Sequence, residues 1–226
     1  MERPTRIGLY GGTFDPVHVG HVAVASGLST IFELDDVLFI PAYVAPHKRE
    51  SRVTPALHRY AMLALATQYE SALRVSLIEL NAPERPYTVD TLSRMRDTLG
   101  KAAELFFIMG ADSWSEITSW RDSERVLELS NHIVVTRPGY DWDTDHVAPA
   151  IRQRVVDLRG HDEAQARHEI GRNEGPRIYL TDAVNLDISA TAIRQAVREG
   201  RDAEWRSLVT APVADYIEKY QLYGEA

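Results

Sequence analysis

The sequence predicts an α/β protein built on a doubly wound parallel sheet, and three observations carry that expectation. Six apolar runs, at 6–10, 37–40, 74–80, 105–109, 132–136 and 177–180, alternate with stretches spaced as helices. Right-handed crossovers lay such strands parallel, with helices on both faces. Runs such as Val37-Leu38-Phe39-Ile40 are continuously apolar, as strands covered on both sides are. The chemically distinctive residues follow the ends of the runs, where open parallel sheets bind ligands. At 226 residues the chain is long enough for one well-buried domain, and two would be cramped. The reading is a single domain over 1–226, with a polar insertion near 141–176 and a helical segment at 190–226.

Bulk composition narrows the function. A net charge of −8 argues against a general nucleic-acid binder, which needs a basic face. The absence of cysteine excludes disulfides and thiolate metal sites and fits a reducing cytoplasm. No apolar run approaches the ~20 residues of a membrane span. Met1-Glu2-Arg3-Pro4 runs almost at once into the first strand, leaving no room for a signal peptide. The expectation is a soluble cytoplasmic protein with no membrane partner; its oligomeric state, homo-oligomer included, is left open.

The first strand, 6–10, ends in Gly11-Gly12-Thr13-Phe14-Asp15-Pro16-Val17-His18-Val19-Gly20-His21. The apolar spacing from Val19 to about Phe32 then reads as a helix, so the string is a glycine-rich strand-to-helix turn, where α/β folds meet phosphate. Gly11 and Gly12 let a ligand approach the backbone, and Pro16 keeps the helix from starting early. His18 and His21, three apart, fall on one face of the first turn, and two imidazoles beside free helix N–H groups suit an anion.

The second strand leads into a loop held extended by Pro41 and Pro46, with His47-Lys48-Arg49 at its tip. Thr54-Pro55 opens a helix to about Tyr69, with Leu57, Ala61 and Leu65 on its buried stripe and His58, Arg59 and Tyr60 at the surface. A third strand at 74–80 follows. Thr88 then stands as N-cap of a helix that Gly100 stops. After the fourth strand comes Gly110-Ala111-Asp112, then Trp114, read as core, and Trp120. From 141 to 176 the pattern weakens, with a helix expected at 147–158. His161-Asp162 and His168-Glu169 match no metal-ligand spacing, so the segment reads as solvated. After the last strand, Ile188-Ser189-Ala190-Thr191-Ala192-Ile193-Arg194 enters a helix that Ser189 can cap, leaving Arg194 in solvent. A terminal helix at 213–217 is expected to pack on the insertion side.

The string from Gly11 to His21 resembles the signature of nucleotidyltransferases with an HxGH motif, most closely that of the nicotinate-nucleotide adenylyltransferases. The resemblance covers about 5–140 and 177–222. It implies a Rossmann-like nucleotidyltransferase fold. It also implies that His18, His21, Lys48 and Arg194 are catalytic, and that Gly11, Gly12, Thr13, Phe14, Ile188, Ser189 and Arg194 hold ATP. Tyr87-Thr88-Val89-Asp90-Thr91 is similar to the start of the helix that holds the pyridine nucleotide in that family, and Gly110 and Asp112 to its ribose-binding glycine and acid. Trp120 matches its ring-stacking aromatic. Ala45 stands in place of a proline in the lysine loop, and Ala190 in place of a hydroxyl residue.

The implied reaction joins ATP and nicotinate mononucleotide, giving nicotinate adenine dinucleotide and pyrophosphate. Mg²⁺ would travel mainly on the ATP phosphates, with no dedicated protein metal ligands. Rival readings are a sister adenylyl- or cytidylyltransferase, a dual-specificity enzyme, a class I aminoacyl-tRNA synthetase fragment, and a non-catalytic dinucleotide sensor. Thr88 and Trp120 speak against the sister enzymes. The missing Lys-Met-Ser-Lys-Ser loop speaks against the synthetase. The sensor would need neither both histidines nor Arg194.

Overall fold

A seven-stranded, wholly parallel sheet with strand order β3-β2-β1-β4-β5-β7-β6 forms the centre of the computed structural model. The structure describes residues 3–43, 53–82, 84, 86–100, 102–136, 142–171, 175–184 and 188–224. The strands are β1 (Arg6–Gly12), β2 (Asp36–Pro41), β3 (Leu73–Val75), β4 (Glu104–Gly110), β5 (Asn131–Val135), β6 (Val155–Asp157) and β7 (Ile178–Thr181). The helices are α1 (Val19–Ile31), α2 (Ala56–Thr67), α3 (Thr88–Leu99), α4 (Ala111–Ser115), α5 (Ser123–Leu129), α6 (Pro149–Arg152), α7 (Glu163–Gly171), α8 (Ala190–Arg198), α9 (Asp202–Ser207) and α10 (Ala211–Lys219). The chain winds outward from β1 through β2 to β3, then returns to add β4 on the other side of β1. That reversal opens a crevice between the carboxyl ends of β1 and β4, the place where such sheets take ligands.

Two apolar layers enclose the sheet, as a doubly wound fold requires. Ala25 and Leu28 of α1, Met62 and Leu63 of α2, Ile193 of α8, Trp205 of α9 and Val213 and Ile217 of α10 share one layer with Phe39 and Phe106. Val89, Leu92 and Met95 of α3, Trp114 of α4 and Val126 and Leu127 of α5 share the other with Leu9 and Phe107. Trp114 is core, as expected, and its indole N–H donates to the Asp143 carbonyl at 3.2 Å.

Four local readings change. The third strand ends at Val75, whose register partner on β2 is Phe39; after the Ser76 N–H donates to the Phe39 carbonyl, the chain turns away over 76–80. The expected helix at 147–158 is the short α6 followed by β6, since Val155 and Val156 find an open edge of β7. The stretch read as a solvated insertion therefore extends the sheet and buries Leu158, Ala166 and Ile170 in the α1-side layer. On α2 the buried positions are Arg59, Met62, Leu63 and Thr67, while Leu57 is 74% exposed. Periodicity does not reveal this stripe because its anchor is a charged residue. α10 packs on α2, in the same layer that takes Leu158, Ala166 and Ile170 of the insertion.

Candidate active site

β1 carries the glycine-rich string to the rim, and α1 begins immediately behind it. His18 occupies the N-cap of α1, with Val19 its first helical residue, so His18 and His21 bracket the first turn. Their rings stack with centroids 3.6 Å apart and planes inclined by 27°. The His18 N–H donates to His21 Nδ1 at 3.2 Å, fixing the second ring against the first. Gly20 makes this packing possible. A Cβ there would lie 3.1 Å from His18 Nδ1 and 3.6 Å from Ile188 Cδ1. Gly12 has a similar local cause, because a Cβ would meet the Phe14 ring at 2.8 Å. Phe14 itself is buried among Tyr10, Phe39 and His21, with φ of 50°.

Beside this turn lies a cleft of about 570 Å³ at the carboxyl ends of β1, β2 and β4. Gly11, Gly12, Thr13, Phe14 and His21 line one wall. Thr88, Gly110, Asp112 and Trp120 line the other, so nine expected site residues from three distant segments meet in one space. Trp120 is half-buried and packs edge-on against Phe107, its ring bordering the cleft.

The helix at the second wall begins one residue earlier than expected: Tyr87 is the N-cap of α3 and Thr88 its first residue. Asp90 turns back, and its carboxylate accepts the Tyr87 N–H at 2.9 Å. That bond satisfies a helix-start donor and ties up the acid nearest Thr88.

Ile188, Ser189 and Arg194 stand at the shoulder of the same turn rather than in the cleft lining. Ser189 is the N-cap of α8 by backbone geometry, but its hydroxyl makes no capping bond, contrary to expectation. Arg194 is not free in solvent. Its Nη1 donates to the Asp15 carbonyl at 2.6 Å and its Nη2 to Thr191 Oγ1 at 3.2 Å, which pins α8 against the glycine-rich turn. Lys48, with the rest of its loop tip, lies outside the described residues.

Sequence reasoning missed three site-related residues. Arg59 reads as surface by periodicity, yet it is fully buried, with its guanidinium on four main-chain carbonyls. Glu79 reads as part of a strand, yet it lines the cleft and accepts the Thr91 hydroxyl at 2.8 Å. Burial raises the Glu79 carboxyl above the usual range, partly offset by the Thr91 hydroxyl, the Tyr43 N–H and the Arg59 charge. Tyr223, near the chain end, donates to Asp15 Oδ1 at 2.7 Å. No sequence signal ties these residues to the site, since each acts through a contact made only on folding.

The arrangement suits a ligand with a polyanionic part and an aromatic part: stacked imidazoles and an arginine at one end, a helix start and an aromatic face at the other. Among the described residues no three of His, Cys, Asp and Glu gather as an ion cage.

Comparison with known proteins agrees with this geometry. A cytidylyltransferase-like family model matches residues 9–196. A probable nicotinate-nucleotide adenylyltransferase of Thermoanaerobacter sp. (strain X514) is 36% identical over 223 residues, covering 99% of this chain and 96% of that protein. One from Desulfitobacterium hafniense (strain Y51) is 38% identical, covering 97% and 96%. Among solved structures, Plasmodium falciparum nicotinic acid mononucleotide adenylyltransferase complexed with NaAD superposes with a TM-score of 0.71 at 20% identity, over 97% of each chain. The same enzyme complexed with APC gives 0.69. At that identity the structural likeness speaks for the fold.

Proposed function

The chain belongs to the nicotinate-nucleotide adenylyltransferases of the cytidylyltransferase-like family, and from that premise we propose how its cleft works. The enzyme transfers the adenylyl group of ATP to nicotinate mononucleotide, giving nicotinate adenine dinucleotide and pyrophosphate. The observation that carries this reading is the meeting of the glycine-rich turn and His21 with Thr88, Asp112 and Trp120 in one cleft, with His18 outside the lining and stacked on His21.

A phosphate oxygen of the mononucleotide attacks the α-phosphorus of ATP, and the bond from that phosphorus to the bridging oxygen breaks as pyrophosphate leaves. The nucleophile is already ionised, so neither a covalent intermediate nor a strong base is needed. Catalysis is then alignment and charge neutralisation. His18 and His21 stabilise the α-phosphate and the departing oxygen, with Lys48 assigned the same task from the loop after β2. The start of α8, with Ile188, Ser189 and Arg194, receives the β- and γ-phosphates. Arg194 keeps guanidinium N–H groups beyond the two it spends on Asp15 and Thr191. Gly11, Gly12, Thr13 and Phe14 form the floor under ATP, and Gly110 with Asp112 takes ribose hydroxyls.

The site offers no cage of its own for a divalent cation among the described residues. Mg²⁺ is assigned to the ATP oxygens, where it would neutralise phosphate charge and keep most of its waters.

Nicotinate should be preferred over nicotinamide. The first N–H groups of α3 suit a carboxylate, Trp120 offers a stacking face, and Asp90 is occupied by Tyr87. Charged hydrogen bonds are about twice as strong as neutral ones, so a preference of at least about tenfold, ~1.4 kcal/mol, is expected. Pyrophosphate release with ATP and each mononucleotide tests both statements. Turnover with the nicotinate form and a kcat/KM ratio above that value support them. No turnover would refute the function, and equal ratios would make the enzyme dual-specific.

A further inference from the structure

Thr13–Asp15 is the only chain between the last glycine of the turn and the residues leading to the stacked histidines. The geometry points to a brace behind that segment, made by two side chains far away in sequence. Arg59, fully buried on α2, donates to the Thr13 carbonyl at 2.7 Å, to Ala42 at 2.6 Å, to Tyr43 at 3.0 Å and to Thr54 at 2.9 Å. One planar guanidinium thus ties the end of β1 to the end of β2 and to the start of α2, which no ammonium could do. Tyr223 donates to Asp15 Oδ1 at 2.7 Å, while Asp15 Oδ2 accepts the Thr54 N–H at 3.1 Å. The carbonyl of the same Asp15 holds Arg194 at 2.6 Å. Asp15 is 5% exposed and cannot exchange these partners for water without opening the turn.

A buried cation is expensive, and well-packed apolar residues often stabilise a core as well or better. Arg59 therefore calls for a reason besides stability, and its carbonyl partners supply one: three of the four, Thr13, Ala42 and Tyr43, follow the ends of β1 and β2 and line the cleft. We propose that Arg59 and Tyr223 are positioning residues for adenylyl transfer. Resting on the function above, they set the height of Thr13–Asp15, and through it the placement of His18, His21 and Arg194 against the phosphates. Burial and the neighbouring Asp15 charge raise the Tyr223 phenol above its usual range, so it stays a proton donor to Asp15 at any working pH.

Tyr223→Phe is the cleanest test, because it keeps the ring and deletes one donor. The expected result is a kcat about tenfold lower, since misplacement by a fraction of an ångström is costly in such steps. The KM for nicotinate mononucleotide, bound at the far wall, should stay within about twofold and the melting temperature within about 4 °C. Arg59→Lys should lower kcat further, measured per folded molecule, with the same KM for the mononucleotide. A purely structural role would lower the melting temperature and leave kcat per folded molecule unchanged. A Tyr223→Phe enzyme as fast as an active wild type would overturn the brace alone. A wild type without turnover would overturn the functional reading and the brace together.

Discussion

Single residues decide how this site is held, and the decisive ones carry charges whose surroundings periodicity cannot convey. His18, His21 and Gly20 were legible because their spacing encodes one helical turn. Arg59 was not, because its four carbonyl partners come from three separate segments. His132 is a second residue whose buried surroundings periodicity does not convey. It sits in β5, fully buried beside Phe107, and burial, with the Arg154 charge, lowers its pKa from 6.5 to about 3. Its imidazole is neutral in the fold, whereas the unfolded chain binds a proton near 6.5. Stability is therefore kept above that value and lost as pH falls from it toward 3. At ~1.36 kcal/mol per pH unit, the loss between pH 6.5 and 5 is roughly 2 kcal/mol. Urea unfolding of His132→Phe at pH 7.5 and 5.0 should show an acid loss smaller than wild type by about that amount. Identical acid sensitivity in the two proteins would remove His132 as the cause.

At the scale of elements, five of the six apolar runs correspond to strands over most of their length, while the run at 74–80 keeps only its start as β3, and β6 and α7 carry no such signal. β1, β2, β4, β5 and β7 announce themselves because buried parallel strands need continuous apolar residues. β6 is only three residues long and gains its identity from pairing with β7, a contact far away in sequence. α7 looks polar because most of its surface is wet, yet Ala166 and Ile170 are 4% exposed against the α1-side layer. Conversely the helical spacing puts Leu57 on the buried stripe, yet it is 74% exposed. Two substitutions separate these readings. Ile170→Ala should cost roughly 2–4 kcal/mol, as buried truncations do. Leu57→Ala should stay within about 0.5 kcal/mol of wild type. Chemical denaturation reads both, and an Ile170 variant as stable as wild type would return 141–176 to the status of a solvated appendage. Replacing 143–175 by a short linker would strip β7 of one of its two partners and uncover the layer that Leu158 fills, so a lowered melting temperature is expected there too.

The whole molecule turns four separated stretches of sequence into one cleft by a simple rule: the sheet is parallel, so every strand delivers its carboxyl end to the same rim. That rule made the site's location legible before its geometry. The depth of the cleft, the pinning of α8 through Arg194 and the return of Tyr223 to Asp15 depend on packing between distant segments and left no local pattern. The central claim is that the stacked histidines act on the transition state and do not merely finish the turn. The direct measurement is steady-state turnover of ATP and nicotinate mononucleotide by His18→Ala. Loss of a transition-state donor predicts a kcat lower by about two to three orders of magnitude, with the KM for ATP changed far less. A folded variant with kcat within about threefold of wild type would contradict the claim, because such a change is far below what one lost transition-state donor costs.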